Sequence, residues 1–255
     1  MLHLGEANSL ADLLNTARDV ETRLDGQLWY RGHANATWPL VPSAHRRHAV
    51  LEAQFAQHFR LRAPSLAPNC PAHADHVAWL PLMQHYGLPT RLLDWTESIL
   101  VATYFAIADN ASAGAGAIWM LAPGTLNRQS IGYLIPFLSD ERVQPIVSDA
   151  FGTRIGHLSA ECVAVLAPRS DKRMAAQLGN YTIHRTREPL ECGNNSSEFL
   201  AKIVVPLSAR PRLTQELSIS GVRRSSLFPD LANLAAELSE IEAIGKDGDH
   251  LEPSA

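Results

Sequence analysis

Leu10, Leu13, Leu14, Ala17, Val20 and Leu24 recur at helical spacing, so residues 8–24 are expected to form an amphipathic helix. Ser9 with Asp12 resembles a capping pair at its start, and Asp25-Gly26 breaks it. Leu28 to Arg31 reads as a short strand ending at Gly32, followed by a loop over 33–46 that carries Trp38, Pro39 and Pro42. A helix is predicted from Ala49 to Arg62, stopped before Pro64, and a Pro-containing linker spans 64–71. Residues 73–86 read as helix with a kink or break at Pro81, ended by Gly87 and Pro89. The apolar stretch 96–109 predicts a buried helix, with Thr96 as its cap and Glu97 at its positive end.

The runs 116–121 and 162–166 predict buried strands, with a loop-rich insertion between them at 122–160. A short helix is expected over 171–178, then strands at Tyr181–His184 and Phe199–Val205 separated by a polar turn. Helices at 210–219 and 226–243 follow, and the last ten residues read as frayed. Helices come first and strands then interleave with helices, without even βαβ alternation. The expected fold is therefore α+β, with helices packed around a small, mainly antiparallel sheet. The expected organisation is an N-terminal helix (1–26), a main domain (27–235), and a helix end with tail (236–255).

Composition narrows the class. With 46% hydrophobic and 19% charged residues, the chain is globular rather than disordered, collagenous or solenoid. Cys70, Cys162 and Cys192 are odd in number and lack C-x-x-C spacing, which argues against a disulfide scaffold or a cysteine zinc site and for a reducing compartment. A net charge of -4 excludes a protein basic over its whole surface but leaves room for a local basic groove. The N-terminus lacks a signal-peptide pattern, and no apolar run approaches the roughly 20 residues of a membrane helix. A cytoplasmic protein without a membrane partner is expected.

Three segments hold candidate chemistry. In Trp29-Tyr30-Arg31-Gly32-His33, an arginine ends an apolar strand. Its planar fork suits bidentate phosphate or carboxylate binding, and Gly32 would let a ligand approach the backbone. The alternative is a bridge from Arg31 to an aspartate such as Asp94, pinning the strand end. The stretch Gln84 to Trp95 places an amide, an imidazole, a phenol, a hydroxyl, a guanidinium and a carboxylate within twelve residues. It reads as a rigid turn between two helices, and side chains so dense need one another or a ligand. In the third segment, Arg173 and Gln177 share a helix face, and Thr182 and His184 share a strand face.

These segments also carry a resemblance. Tyr30-Arg31-Gly32 is followed by Trp38 to Ser43 with Arg46, the block Gln84 to Thr96, and Ala102 with Tyr104-Phe105-Ala106. Arg173, Gln177, Gly179, Thr182 and His184 come next, then Ser226 to Leu231. Over about residues 27–235 the chain resembles the FRG-domain family, named for a Phe/Tyr-Arg-Gly tripeptide. His33 stands where glutamine is more usual, and Asn180-Tyr181 where Val or Leu and Phe are. Tyr-Arg-Gly at the end of an early strand is also similar to the first motif of arginine-type ADP-ribosyltransferases. That similarity implies an ADP-ribosyltransferase-like core that uses NAD as substrate and modifies a macromolecular acceptor, nucleic acid or protein. It implies a toxin or phage-defence effector with an antitoxin-like protein partner. Arg31 would hold the pyrophosphate, with Tyr30, Gly32, His33, Tyr86 and Arg91 completing the cofactor site. His85, Thr90 and Asp94 would build the pocket, Thr90 or Tyr86 supplying its hydroxyl, and Gln177 and His184 would stand near the reacting ribose. The chain lacks the Glu-x-Glu of such enzymes; Glu161 and Glu198 are the substitutes on offer.

Other chemistries fit less well. His45-x-x-His48 and His73-x-x-His76 are pairs at helical spacing, and His85 with Asp94 could complete a set, yet there is no H-E-x-x-H and no metal is expected. No G-x-S-x-G elbow or P-loop occurs, and Cys162 sits in an apolar run that reads as core. A nucleic-acid-binding or nucleolytic module remains the alternative. Arg31, Arg46, Arg47, Arg91 and Arg173 would line its groove, and Trp38, Tyr86 and Trp95 would be available to stack bases.

Overall fold

The computed structural model describes residues 1–46, 50–108, 114–132, 134–153, 160–168 and 171–248. In chain order these form β1 (Leu2–Glu6), α1 (Leu10–Leu24), β2 (Trp29–His33), α2 (Ser43–Arg46), α3 (Val50–Arg62), α4 (His76–His85), β3 (Leu92–Thr96), α5 (Ile99–Ile107) and β4 (Gly116–Leu121). Then come α6 (Pro123–Arg128), α7 (Gln144–Ala150), β5 (Cys162–Val165), α8 (Lys172–Ala176), β6 (Gly179–His184), β7 (Leu200–Val205), α9 (Arg210–Ile219), α10 (Arg224–Leu227) and α11 (Leu231–Gly248). The fold is α+β. Its seven-stranded sheet runs β1-β7-β4-β2-β3-β6-β5. Only the β1–β7 pair among these neighbours is parallel. The sheet is wider than the small one expected.

Local chemistry explains the elements that match expectation. Ser9 caps α1 by accepting from Asp12 N, Leu10, Leu13, Ala17, Val20 and Leu24 are buried, and Asp25 ends the helix in the left-handed region. Asp171 caps α8 in the same way, accepting from Met174 N.

The differences from expectation have physical causes. β1 was not foreseen; its Leu-His-Leu-Gly-Glu pattern is short, and it gains its ladder only from β7, with Leu2 facing Ala201. The turn expected up to Trp95 ends sooner, because Leu92–Thr96 is a strand between β2 and β6 rather than the approach to a helix. The cap of α5 is therefore Ser98, which accepts from Val101 N, and not Thr96. Pro81 neither breaks nor ends α4; burial of Trp79, Leu80 and Met83 outweighs the bond it forgoes. The helix expected at 226–243 is divided, because Phe228, which precedes Pro229, takes a non-helical conformation. The insertion between β4 and β5 holds α6 and α7, whose Ile146 and Val147 are buried. The expected helix start at Ala49, Arg47, His48 and the tail beyond 248 lie outside the described residues.

Two apolar clusters flank the sheet. The larger joins α1, α5 and α9 to β2, β4 and β7, with Trp29, Trp119 and Leu213 among its members. The other joins α4 and α7 to β5 and β6, through Leu80, Ile146 and Val163. In the first, α5 lies directly on the backbone of β2 and β4. A Cβ on Gly32 would stand 1.9 Å from the Ala102 carbonyl oxygen, and one on Gly116 2.3 Å from that of Ala106. The close approach that Gly32 permits is thus made by a helix. Gly32→Ala should cost about 3 kcal/mol or more, since backbone must move on both sides. Gly114→Ala, with open space around the added carbon, should stay within about 0.5 kcal/mol. Urea unfolding of the two variants checks this pair.

Candidate functional site

β2 and β3 are neighbours through a single register pair, Tyr30 with Thr96. On its other side β2 pairs with β4 from Trp29 to His33, and β3 pairs with β6 from Leu92 to Thr96. Each strand is held on its outer side, so the seam between them can open without loss of the sheet. Arg31 spans this seam. Its Nη1 donates to the Asp94 carbonyl oxygen at 2.6 Å and lies 3.6 Å from Asp94 Oδ2, while its Nε donates to His33 Nε2 at 3.0 Å. The Arg31 side chain is 18% exposed and that of Asp94 54%. Burial pushes the Arg31 guanidinium below its usual range, and the nearby Asp94 opposes this.

A cleft of about 540 Å³ opens at the seam, within the range of small-molecule sites. Arg31, His33, Trp38, Arg46 and Asp94 line it together with Tyr30, Phe105, Met174, Gln177 and Asn180. Successive residues of a strand face opposite ways. The opened seam lets Tyr30 and Gly32 share the wall with Arg31 and His33. Trp38 is 42% exposed at this wall, with its ring edge-on to His33 at 6.1 Å. Arg46 is anchored through Nε to the Val41 carbonyl at 2.8 Å. Gln177 Nε2 donates to the Leu227 carbonyl at 3.1 Å, which ties the cleft to α10. Trp119 Nε1 lies 3.2 Å from His33 Nδ1 on the side away from Arg31; a neutral imidazole accepts at one nitrogen only, so beside the Arg31 bond this is a contact rather than a second accepted bond.

The expected site residues divide between this cleft and other places. Tyr30, Arg31, Gly32, His33, Asp94 and Gln177 line it. Thr90 is fully buried behind the wall; its hydroxyl donates to Gln84 Oε1, and Gln84 Nε2 donates to Asp94 Oδ2 at 2.9 Å. Arg91 is turned into the interior, where Glu52 Oε2 accepts from its Nε at 3.0 Å and its Nη2 at 2.8 Å, and the Ile146 carbonyl accepts from Nη1. With its fork engaged by Glu52 and Ile146, Arg91 serves the interior rather than the cleft. Tyr86 lies on a different groove of about 690 Å³ with Phe55, Phe59 and Leu82. His85 lines a smaller pocket beside Arg173, and its Nδ1 is 3.8 Å from Asp171 Oδ2. Arg173 stacks over the Phe228 ring at 4.8 Å, and Phe228 meets Phe105 of the cleft edge-on. The face expected to join Arg173 with Gln177 is therefore split between two pockets.

His184, the last residue of β6, is buried away from the cleft, 2.8 Å from Thr182 Oγ1 and 3.5 Å from Cys162 Sγ, in a pocket that also holds Glu161. Trp95 donates to the same Thr182 oxygen at 3.0 Å. Glu198 is exposed just before β7. Neither glutamate lines the cleft. Burial pushes the Cys162 thiol well above its usual range. His73 precedes α4, so it shares no helix face with His76, whose ring stacks on Phe151 at 4.1 Å. Among the described residues no group of three His, Cys, Asp or Glu is placed to hold a metal ion. Gln84 is the amide of the dense polar block, where the sequence assigns it no role of its own; the structure sets it between Thr90 and Asp94.

The model of the FRG domain matches residues 26–114, and the chain carries an FRG domain there. The match takes in Tyr30-Arg31-Gly32 and the Gln84 to Trp95 block, and so both sides of the seam. No curated protein and no solved structure matches the chain.

Three buried histidines give the fold a measurable acid sensitivity. Burial, aided by nearby cations, lowers His33 to about 2, His184 to about 3 and His45 to about 4. The folded state keeps them neutral, while the unfolded chain takes up protons below about pH 6.5. Their contribution is complete above that pH and is lost as pH falls toward the folded values. Each histidine should steepen the loss by up to about 1.4 kcal/mol per pH unit. Urea unfolding free energies should thus fall from pH 7 to pH 4.5, with a shallower slope in His45→Gln.

Proposed function

We propose that the chain is an NAD-dependent ADP-ribosyltransferase-like enzyme that modifies a macromolecular acceptor, and that the cleft between β2 and β3 is its dinucleotide site. One observation carries this reading: the Arg31 guanidinium stands in an opened seam and borders a cavity of about 540 Å³ instead of being sealed by neighbours. With Nε on His33 and Nη1 on the Asp94 carbonyl, the remaining guanidinium nitrogen, Nη2, is the donor that suits a pyrophosphate oxygen. Trp38, Tyr30 and Phe105 offer ring faces and apolar surface to a flat heterocycle, and the Gln177 side chain at the cleft wall offers its amide oxygen to a ribose hydroxyl. Cleavage of an N-glycosidic bond builds positive charge on the ribose, so the site needs fixed orientation and nearby negative charge more than a strong nucleophile. Asp94 supplies that charge in the cleft. Acceptor chemistry, protein or nucleic acid, is left to the assay.

Exposed Trp38 with Arg31 and Arg46 at one cleft also supports a second reading, a nucleic-acid-binding or nucleolytic groove. Incubation with NAD labelled in its adenylate phosphate, together with total RNA, DNA or protein, separates the two. Label transfer supports the first, and strand cleavage without NAD the second. Arg31→Ala should remain folded, losing about 1–2 kcal/mol with its hydrogen bonds. It should abolish both label transfer and the rise in melting temperature that NAD gives the wild type. An unfolded Arg31→Ala would make the arginine a structural bridge only.

A further inference from the structure

Asp94 is oriented with more care than an arginine partner requires. Thr90 is buried, its backbone N donates to Ser43 Oγ at 3.3 Å, and its Oγ1 accepts from Leu92 N at 3.3 Å. The hydroxyl proton is given to Gln84 Oε1, which turns the amide so that Nε2 donates to Asp94 Oδ2 at 2.9 Å. Arg31 does not consume the carboxylate. Its short bond goes to the Asp94 main-chain carbonyl, and its Nη1 stays 3.6 Å from Oδ2, beyond hydrogen-bond range. A carboxylate results that is fixed on one oxygen by a neutral relay, with more than half of its side chain exposed, at the wall of the cleft. A carboxylate needed only to brace Arg31 would be drawn onto the guanidinium.

We infer that Asp94 is the proton acceptor of the transfer step and that Gln84 and Thr90 are its positioning residues, an assignment that rests on the NAD reading of the cleft. In the step, the bond between ribose C1′ and the nicotinamide ring nitrogen breaks, and its electron pair leaves with neutral nicotinamide. A lone pair on the acceptor's hydroxyl or amine, or on water, forms the new bond to C1′. The proton that this acceptor sheds passes to the Asp94 carboxylate and from there to solvent.

The test uses the full chain and NAD, read by label transfer and by nicotinamide release. Asp94→Asn keeps size and hydrogen-bonding shape but cannot take the proton, so turnover should fall about 100-fold or more while the NAD-induced rise in melting temperature persists. Gln84→Glu places a second carboxylate against Asp94, so the pair must hold a proton between them. The acid limb of the pH–rate profile should move up by about one unit or more, which a merely structural Gln84 would not do. Thr90→Val should slow turnover, and Thr90→Ser should restore it. Wild-type turnover in Asp94→Asn, an unmoved profile in Gln84→Glu, or no rescue by Thr90→Ser would overturn the assignment while the NAD site stands. A wild-type chain that neither binds nor consumes NAD would overturn the reading of the cleft and this assignment with it.

Discussion

The bond from Arg31 Nη1 to the Asp94 carbonyl is the constraint on which the site depends. Two adjacent strands ordinarily satisfy one another's backbone groups along their length. Here β2 and β3 do so at one pair, and a side chain takes over where the ladder stops. The guanidinium thereby serves two masters. It covers an acceptor that the parted strands would leave bare, and it still borders the cleft. A shorter cation could not span the seam and still meet an anion with a planar fork.

The seam is held open by what stands behind each strand. α5 rests on β2 and β4 at Gly32 and Gly116, too close to admit any side chain. β3 is backed by β6, and at its start Arg91 is locked to Glu52 of α3. Two rigid halves of one sheet therefore face each other across the cleft. Their positions come from packing far from any ligand, which is the kind of preorganisation that binding and catalysis reward.

Much of this was legible in the residues. The capped amphipathic α1, the apolar β4 and the density of polar groups from Gln84 to Trp95 all pointed to real features. What the pattern could not convey was direction. Arg31 and Arg91 are both arginines in short motifs, yet one borders the cleft and the other is buried on Glu52, a partner 39 residues away. His85, Tyr86 and Thr90 sit within six residues of one another in sequence, but a helix end, a turn and a strand start send them to three different surroundings. Leu92–Thr96 was hidden as a strand because Asp94 interrupts its apolar run and Thr96 looks like a helix cap.

Among the described residues, the matched segment, 26–114, contributes only β2 and β3 to the sheet. Those two strands barely touch; their real partners, β4 and β6, are supplied by residues 116–121 and 179–184. Excised at these boundaries, the segment would present two bare strand edges and invite edge-to-edge association. The domain as a recognisable stretch of sequence is thus smaller than the domain as a cooperative unit, and the tripeptide and the Gln84 to Trp95 block within it are given their shape by strands that lie outside it.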